Sequence, residues 1–339
     1  MMSGPVDATK PKRAASVFDV ARAAGVSHQT VSRVLNDHSS VRPATRQKVL
    51  TAMGELSYRP NLAARALSSK RSRTLGVLST ASGEYGPSSS IIAITEAART
   101  RGYTTIVEQT DGLDVASIEE ALGNLASLNV EGIVAVAPQT PLLEVLGNMT
   151  SGIPFVTLQT WTSDGGVDLA EDQLEGARVA TAHLLDRGHV DVVHLAGPGD
   201  WIDATSRLRG FRIEMESRGL TPRHVDARDW SPEAGYVAAA AIFESNATAV
   251  FCANDQTALG VLHAAHDAGV SVPEQLSVVG FDDIPEAAHF WPPLTTVRQH
   301  FAATGAQCVA RLLDKGGNVP VVLPQLVIRA STRQLTLVT

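Results

Sequence analysis

From Leu75 onward, short β-rich apolar runs alternate with Ala-rich stretches of helical period, and this alternation predicts parallel sheets joined by crossover helices. The expected strands are Leu75 to Ser79, Thr104 to Val107, Gly132 to Ala137, Phe155 to Leu158, Val167 to Leu169, Val190 to Ala196, Ala249 to Ala253, Ser277 to Phe281, Thr296 to Arg298 and Leu326 to Ile328. Ten strands are too many for one simple doubly wound unit. Two α/β lobes are expected instead, with any small ligand beyond the carboxyl ends of their strands. No apolar run approaches the ~18 residues of a membrane span, and Met1 to Arg13 lacks the apolar core of a signal peptide, so a soluble cytoplasmic protein without a membrane partner is expected. Two isolated cysteines, Cys252 and Cys308, make neither a disulfide framework nor a zinc site.

Charge separates the first 73 residues from the rest. They hold 13 of the 28 basic residues and four of the 35 acidic ones, a balance of +9, while the remainder carries −16. A small basic unit on a large acidic body points to a polyanion-binding head. Within it, residues 16 to 58 read as three short amphipathic helices. Ser16 caps the first, with Val17, Phe18, Val20 and Ala21 as its apolar face, and Gly25 makes a sharp turn. Ser27 caps the second, in which Val31, Val34 and Leu35 recur at helical spacing. The third runs from Pro43 through Leu56, burying Val49, Met53 and Leu56. On the second helix His28, Gln29, Ser32 and Arg33 fall outward, the positions from which a helix-turn-helix reads a major groove. Arg matches guanine and Gln adenine, so the residue types suit base readout as well as their placement does.

The string Phe18-Asp19-Val20-Ala21 through Gly25-Val26-Ser27-His28-Gln29-Thr30-Val31-Ser32-Arg33-Val34-Leu35-Asn36 resembles the head of the LacI/GalR family of bacterial transcriptional regulators. The resemblance continues through Thr45-Arg46, Ala52-Met53, Leu56, Tyr58, Pro60-Asn61 and Ala63-Ala64 to Leu67, where the family has its hinge helix. It implies DNA contacts at Ser27, His28, Gln29, Thr30, Ser32, Arg33, Asn36, Tyr58, Asn61, Ala64 and Leu67. A helix of barely two turns, such as Leu62 to Leu67 would form, is not stable alone in water. The resemblance implies that it orders when two hinges pair across a homodimer on a pseudo-palindromic operator, Leu67 wedging into the minor groove. Lys70 to Arg73 form a basic linker.

In the body, Asn254 and Asp255 follow one expected strand, Asp282 and Asp283 another, and Arg207 lies after the Gly197-Pro198-Gly199 turn. Such groups facing one cleft engage sugar hydroxyls, with an aromatic face closing over the ring. The alternatives are helix caps for Asn254, Asp255 and Asp282, and a surface ion pair for Arg207. Ala253-Asn254-Asp255-Gln256, Ala258-Leu259-Gly260, Ser277 to Asp283 and Pro293-Leu294-Thr295-Thr296 are similar to the family's effector-domain signatures, so resemblance makes Arg207, Asn254 and Asp282 ligand contacts. Asp229-Trp230-Ser231 and Leu195-Ala196-Gly197-Pro198 look lac-type, which implies that Trp230 covers a sugar ring and that Phe301 is an aromatic wall. Thr80 and Tyr85 follow from a looser match around Leu75-Gly76-Val77 and Pro87-Ser88.

There are departures from the lac-type pattern. Purine-responsive members carry an arginine near the position of Trp201, whereas the lac-type carboxylate near Gln159 and phenylalanine near Leu169 are not kept. The segment from Arg329 to Thr339 is too short for leucine heptads, so a dimer is expected. No enzyme pattern accompanies the Asp282-Asp283 pair or His263 and His266, and the Gly197 turn lacks a P-loop Lys, so neither catalysis, metal nor cofactor is expected. The expected architecture is therefore α/β: a tail to residue 15, a helix-turn-helix head at 16–59, a hinge and linker at 60–73, and at 74–339 a two-lobe, periplasmic-binding-protein-like body with parallel sheets. The expected function is a DNA-binding repressor released by a sugar inducer, a galactoside or related saccharide. The alternatives are a corepressor-dependent member of the family, with a purine or phosphorylated sugar ligand, and a sugar-binding module outside it.

Overall fold

The computed structural model describes residues 15–35, 38, 40–59, 71–80, 83–110, 114–136, 152–158, 170–314 and 322–335. The expectations for Asn36, Asn61, Ala64, Leu67, Gln159 and the strand Val167 to Leu169 lie outside them. The chain divides into two compact units, Met1–Ser72 and Arg73–Thr339.

In the first unit, α1 (Val17–Ala24) opens with a reciprocal cap, since Ser16 accepts from the Asp19 amide while the Asp19 carboxylate accepts from the Ser16 amide at 2.9 Å. Gly25, at φ 65°, ends it in the left-handed conformation, which a side chain would strain. The turn delivers the chain to α2 (His28–Leu35), where Ser27 accepts from the Thr30 amide at 3.2 Å. Pro43 begins α3 (Pro43–Glu55). Val20, Ala21, Val31, Val34, Val49 and Ala52 form the core. Two sequence expectations are corrected. Phe18 is 60% exposed, its ring 5.3 Å from that of His28, because α1 turns Val20 and Ala21 inward. Leu56 is the exposed C-cap of α3, and Ala52 takes the buried place assigned to it.

The second unit holds two sheets. The first contains β1 (Thr74–Thr80), β2 (Thr104–Thr110), β3 (Ile133–Val136) and β4 (Phe155–Thr157), parallel and in the order β2-β1-β3-β4. It is flanked by α4 (Tyr85–Thr100) and α5 (Val115–Ser127). The second contains β5 (Val192–Ala196), β6 (Arg223–Asp226), β7 (Ala249–Cys252), β8 (Ser277–Asp282), β9 (Thr295–Arg298) and β10 (Gln325–Val327), in the order β10-β9-β8-β7-β5-β6. Here β10 runs antiparallel to β9, a departure from the all-parallel expectation. The helices α6 (Ala170–Asp186), α7 (Ile202–Ser217), α8 (Pro232–Glu244) and α9 (Asp255–Asp267) accompany this sheet.

Among the described elements the chain passes between the lobes three times: from β4 to α6, from β9 to α10 (Phe301–Asp314), and from α10 back to β10. The last helix belongs to the first lobe, where Cys308, Val309 and Leu312 pack with Leu75, Val77 and Ile94. Helices of the second lobe pair at backbone contact. A Cβ on Gly210 of α7 would stand 2.2 Å from the Leu174 carbonyl oxygen of α6, and one on Gly260 of α9 would stand 1.9 Å from that of Pro232. The tail then laces this lobe: the Ser331 hydroxyl donates to Val278 O at 2.6 Å, and the Leu335 amide to Arg187 O at 2.8 Å. Among the described residues no helix is long and apolar enough to cross a membrane.

Candidate functional site

The head places His28, Gln29 and Arg33 in solvent on one side of α2, while Val31 and Val34 of the same helix fill the core. Burial of the apolar stripe fixes which face is presented outward. Ser27 and Thr30 bond each other at the helix start at 2.9 Å, and Ser32 is half-buried beside the outward set. Tyr58 packs against the head core, its amide held by Met53 O at 2.9 Å, so its ring is partly committed to structure.

In the body a cavity forms at the carboxyl ends of β5, β7 and β8, and five expected residues share it: Tyr85, Arg207, Trp230, Asn254 and Asp282. Glu84, Gly86, Pro87, Trp201 and Asp203 complete its walls. The turn after β5 donates the Trp201 amide to Pro198 O at 3.0 Å and leads into α7. One helical turn on, Arg207 points back at the strand ends. Its Nη1 donates to Ala253 O, Nε to Gln173 Oε1 at 2.8 Å and Nη2 to Asp282 Oδ1 at 3.4 Å. The guanidinium also lies 3.9 Å from the Phe281 ring centroid. Arg207 is therefore no surface ion pair, being 4% exposed.

Asp282 ends β8 at φ 113° and Asp283 follows at φ 53°, both strained for residues with a side chain. The strain is held from outside, because Asp283 accepts from Arg298 and from Arg329, each at 2.6 Å. Asp282 is thereby turned into the cavity. Burial pushes its carboxyl up to about 6, against the opposing pull of Arg207 and of the Gln299 amide that donates to Oδ1 at 2.6 Å. Neighbouring Asp255, the first residue of α9, is raised well above the carboxylate range by burial and then by Asp282. It accepts from the Thr296 hydroxyl at 2.5 Å and the Ile284 amide at 2.9 Å, a structural role.

Asn254 combines the two roles that sequence left open. Its oxygen caps α9 by accepting from the Thr257 amide at 2.8 Å, its nitrogen donates to Trp230 O at 3.1 Å, and the same side chain lines the cavity. Trp230 is 4% exposed and meets Trp201 edge to face, with centroids 5.3 Å apart, over Ala204 and Ala253. This aromatic corner exists because Gly197 has no side chain: a Cβ there would come within 2.3 Å of the Trp230 ring.

The remaining candidates fall elsewhere. Phe301 lines an adjoining cavity and meets Tyr85 edge-on at 5.7 Å. Thr80 is buried at the end of β1 and is not a lining residue of either cavity. Sequence reasoning missed Gln173 and Gln299. They close a cycle with the cavity groups: Arg207 donates to Gln173, Gln173 to Gln299 at 2.7 Å, and Gln299 to the Asp282 oxygen that Arg207 also contacts. Nothing local in sequence marks these two amides. Asp203 was also missed, although it lies four residues before Arg207 and so on the same helix face. His263 and His266 are exposed on α9, and among the described residues no cluster of ligating side chains could hold a metal ion.

Comparison with known proteins agrees with both units. Residues 16–61 match the model of bacterial regulatory proteins of the lacI family, and residues 181–332 match a periplasmic binding protein-like domain. The lactose operon repressor of Escherichia coli K12 is 33% identical over 305 residues, covering 88% of this chain and 84% of that protein. The HTH-type transcriptional repressor PurR of Vibrio parahaemolyticus is 33% identical over 337 residues, covering 95% and 99%. Among solved structures, the lac repressor dimer bound to operator and the anti-inducer ONPF superposes with a TM-score of 0.82 at 31% identity, covering 95% of this chain and 100% of that one. A complex of the transcriptional regulator CelR with cellobiose gives 0.64 at 28%, covering 94% and 99%. With its helix-turn-helix head and periplasmic-binding-protein-like body, the chain belongs to the lacI family of bacterial regulatory proteins and is a DNA-binding transcriptional repressor.

Proposed function

We propose that the chain works in the cytoplasm as a homodimer on a pseudo-palindromic operator, and that a small saccharide, a galactoside or a relative of one, releases it. The observation that carries the ligand class is the cavity itself. A buried carboxylate, an amide and a guanidinium face a corner of two tryptophans, the combination that hydrogen-bonds hydroxyls while covering an apolar ring face. The DNA-binding head spans 16–59, the hinge and linker 60–73 and the effector body 74–339. In the head, His28, Gln29 and Arg33 read the major groove with Ser27, Thr30 and Ser32 beside them. Asn36, Tyr58, Asn61, Ala64 and Leu67 add contacts, Leu67 as a minor-groove wedge. In the body, Arg207, Trp230, Asn254 and Asp282 hold the saccharide, and Tyr85 and Phe301 border it. The protein acts by binding alone.

Release requires that the saccharide bind one arrangement of the lobes more tightly than the other, because a ligand shifts an equilibrium only by its differential affinity. The second reading is a corepressor that tightens operator binding; repressors named PurR match this chain at the same 33% identity as the lactose operon repressor. Operator affinity measured with and without saccharide decides the sign: weaker binding with saccharide supports an inducer, tighter binding a corepressor. In Asp282→Ala either response disappears, and a full response in that variant refutes the site.

A further inference from the structure

Asp282 enters the cavity from a backbone that does not hold itself there. It stands at φ 113° and Asp283 at φ 53°, and two successive side-chain-bearing residues at positive φ persist only where their surroundings over-determine them. The neighbouring strand supplies part of the restraint. Asp282 pairs in register with Arg298 of β9, and from that strand end the Gln299 amide reaches Asp282 at 2.6 Å while the Arg298 guanidinium reaches Asp283 at 2.6 Å. Asp255 fixes the next residue, accepting from the Ile284 amide at 2.9 Å.

The rest of the restraint comes from the tail. Arg329 follows β10, and its guanidinium bridges two elements: Nη2 donates to Asp283 Oδ1 at 2.6 Å and Nη1 to Leu294 O at 2.7 Å. Its own amide donates to the Thr295 hydroxyl at 3.0 Å. The Asp283 carboxylate, 6% exposed, therefore carries one arginine on each oxygen, Arg329 on Oδ1 and Arg298 on Oδ2. A carboxylate so buried is stable only while it is paired. Removing an arm frees Asp283 to turn toward water, and the peptide it shares with Asp282 turns with it. None of Asp283, Arg298 and Arg329 lines either cavity. Both arms lie beside a passage between the lobes, Arg298 just before the chain leaves for α10 and Arg329 just after its return through β10.

We propose that Arg298 and Arg329, acting through Asp283, are positioning residues that hold the Asp282 carboxylate in its binding orientation, so that the segments flanking the lobe crossings set effector affinity without touching the effector. This rests on the proposed reading of the cavity, in which Asp282 is an effector contact. A binding group is only as well placed as the shell that locks it.

The test pairs calorimetric titration with crystallography on the full-length protein. Lactose, methyl β-galactoside and methyl β-glucoside are titrated into wild type, and the tightest of them becomes the probe. Arg329→Met binds it about tenfold or more weakly at unchanged stoichiometry, which separates a misplaced carboxylate from a fraction of unfolded chains. Arg329→Lys recovers part of that loss, because it keeps a cation for Asp283 but not the second donor on Leu294 O. Arg298→Met, on the 46% exposed arm, loses less in the same direction, and it carries the test if Arg329→Met does not fold. Arg218→Met, which breaks an exposed ion pair with Asp186, leaves affinity as it was. Crystals of wild type and of the same variant, grown without added saccharide, give a readout that needs no ligand: in the variant Asp282 leaves φ 113° and its bond from Gln299 is lost. Unchanged affinity in the variant, a loss that Arg329→Lys does not reduce, or an Asp282 that keeps its place in the variant crystals overturns the proposal. If none of the three saccharides binds, the saccharide reading falls, and the position of Asp282 in the crystals alone decides the clamp.

Discussion

Replacing Gly197 by Ala tests the tryptophan corner at its tightest point. The added methyl would stand 2.3, 2.6 and 2.8 Å from Cη2, Cζ3 and Cζ2 of Trp230, against a carbon–carbon optimum of ~3.5–4.0 Å. The ring would have to retreat by more than ~1 Å, yet Ala204, Ala253 and Trp201 already pack around it. Overpacking of this kind costs ~1–3 kcal/mol. At ~2–4 °C per kcal/mol for a domain of roughly this size, the melting temperature of the full chain falls by about 2–12 °C. The control is Gly199→Ala, two residues on, where a methyl meets nothing within 4 Å and the melting temperature stays put. Differential scanning calorimetry on the pair, with tryptophan emission to follow the ring, reads the difference. Equal melting temperatures and unchanged emission in both variants would refute the placement of Trp230 and the corner built on it.

Two further outcomes are open to measurement. The Asp282 carboxyl, raised to about 6 in the fold, makes folding take up protons, so its contribution is fully present below about pH 4 and is lost as pH rises to about 6. Burial holds His183 at about 4 and His194 at about 3, so these histidines act oppositely, withdrawing stability as pH falls below 6.5. The difference between wild type and Asp282→Asn isolates the carboxyl: urea unfolding from pH 4 to 7 should show wild type losing about 3 kcal/mol relative to the variant as pH rises, and a flat difference sinks the argument. In the head, Arg33→Met should cost ~1–3 kcal/mol of operator affinity and relax base preference at one position of each half-site. Site selection followed by titration checks this, and a uniform loss across all sequences would reassign Arg33 to phosphate contact.

Much of the fold was legible because its signals are local. Ser16, Gly25 and Ser27 set the helix boundaries of the head through their own backbone and capping chemistry, and the buried strands read directly as apolar runs. The strand β6 escaped notice for a physical reason: as an edge strand its Arg-His-Val-Asp sequence carries one apolar residue, and its pairing comes from β5 alone. Phe18 was assigned inward from composition, whereas helical phase puts it outward beside His28. In the effector site, the residues at strand ends were legible from their position after apolar runs. Gln173 and Gln299 were not, because they are 126 positions apart and meet only once the second lobe has packed α6 against β9.

The crossings between the lobes also set an order on biosynthesis. The sheet of the first lobe spans residues 74–157, but its core is completed by Cys308, Val309 and Leu312 from α10. A ribosome must therefore deliver nearly the whole body before that lobe can bury Leu75, Val77 and Ile94, whereas the head has all its core residues by Tyr58. The nascent head is ready to fold while the first lobe still waits with an open apolar face, an interval in which exposed hydrophobic surface favours aggregation.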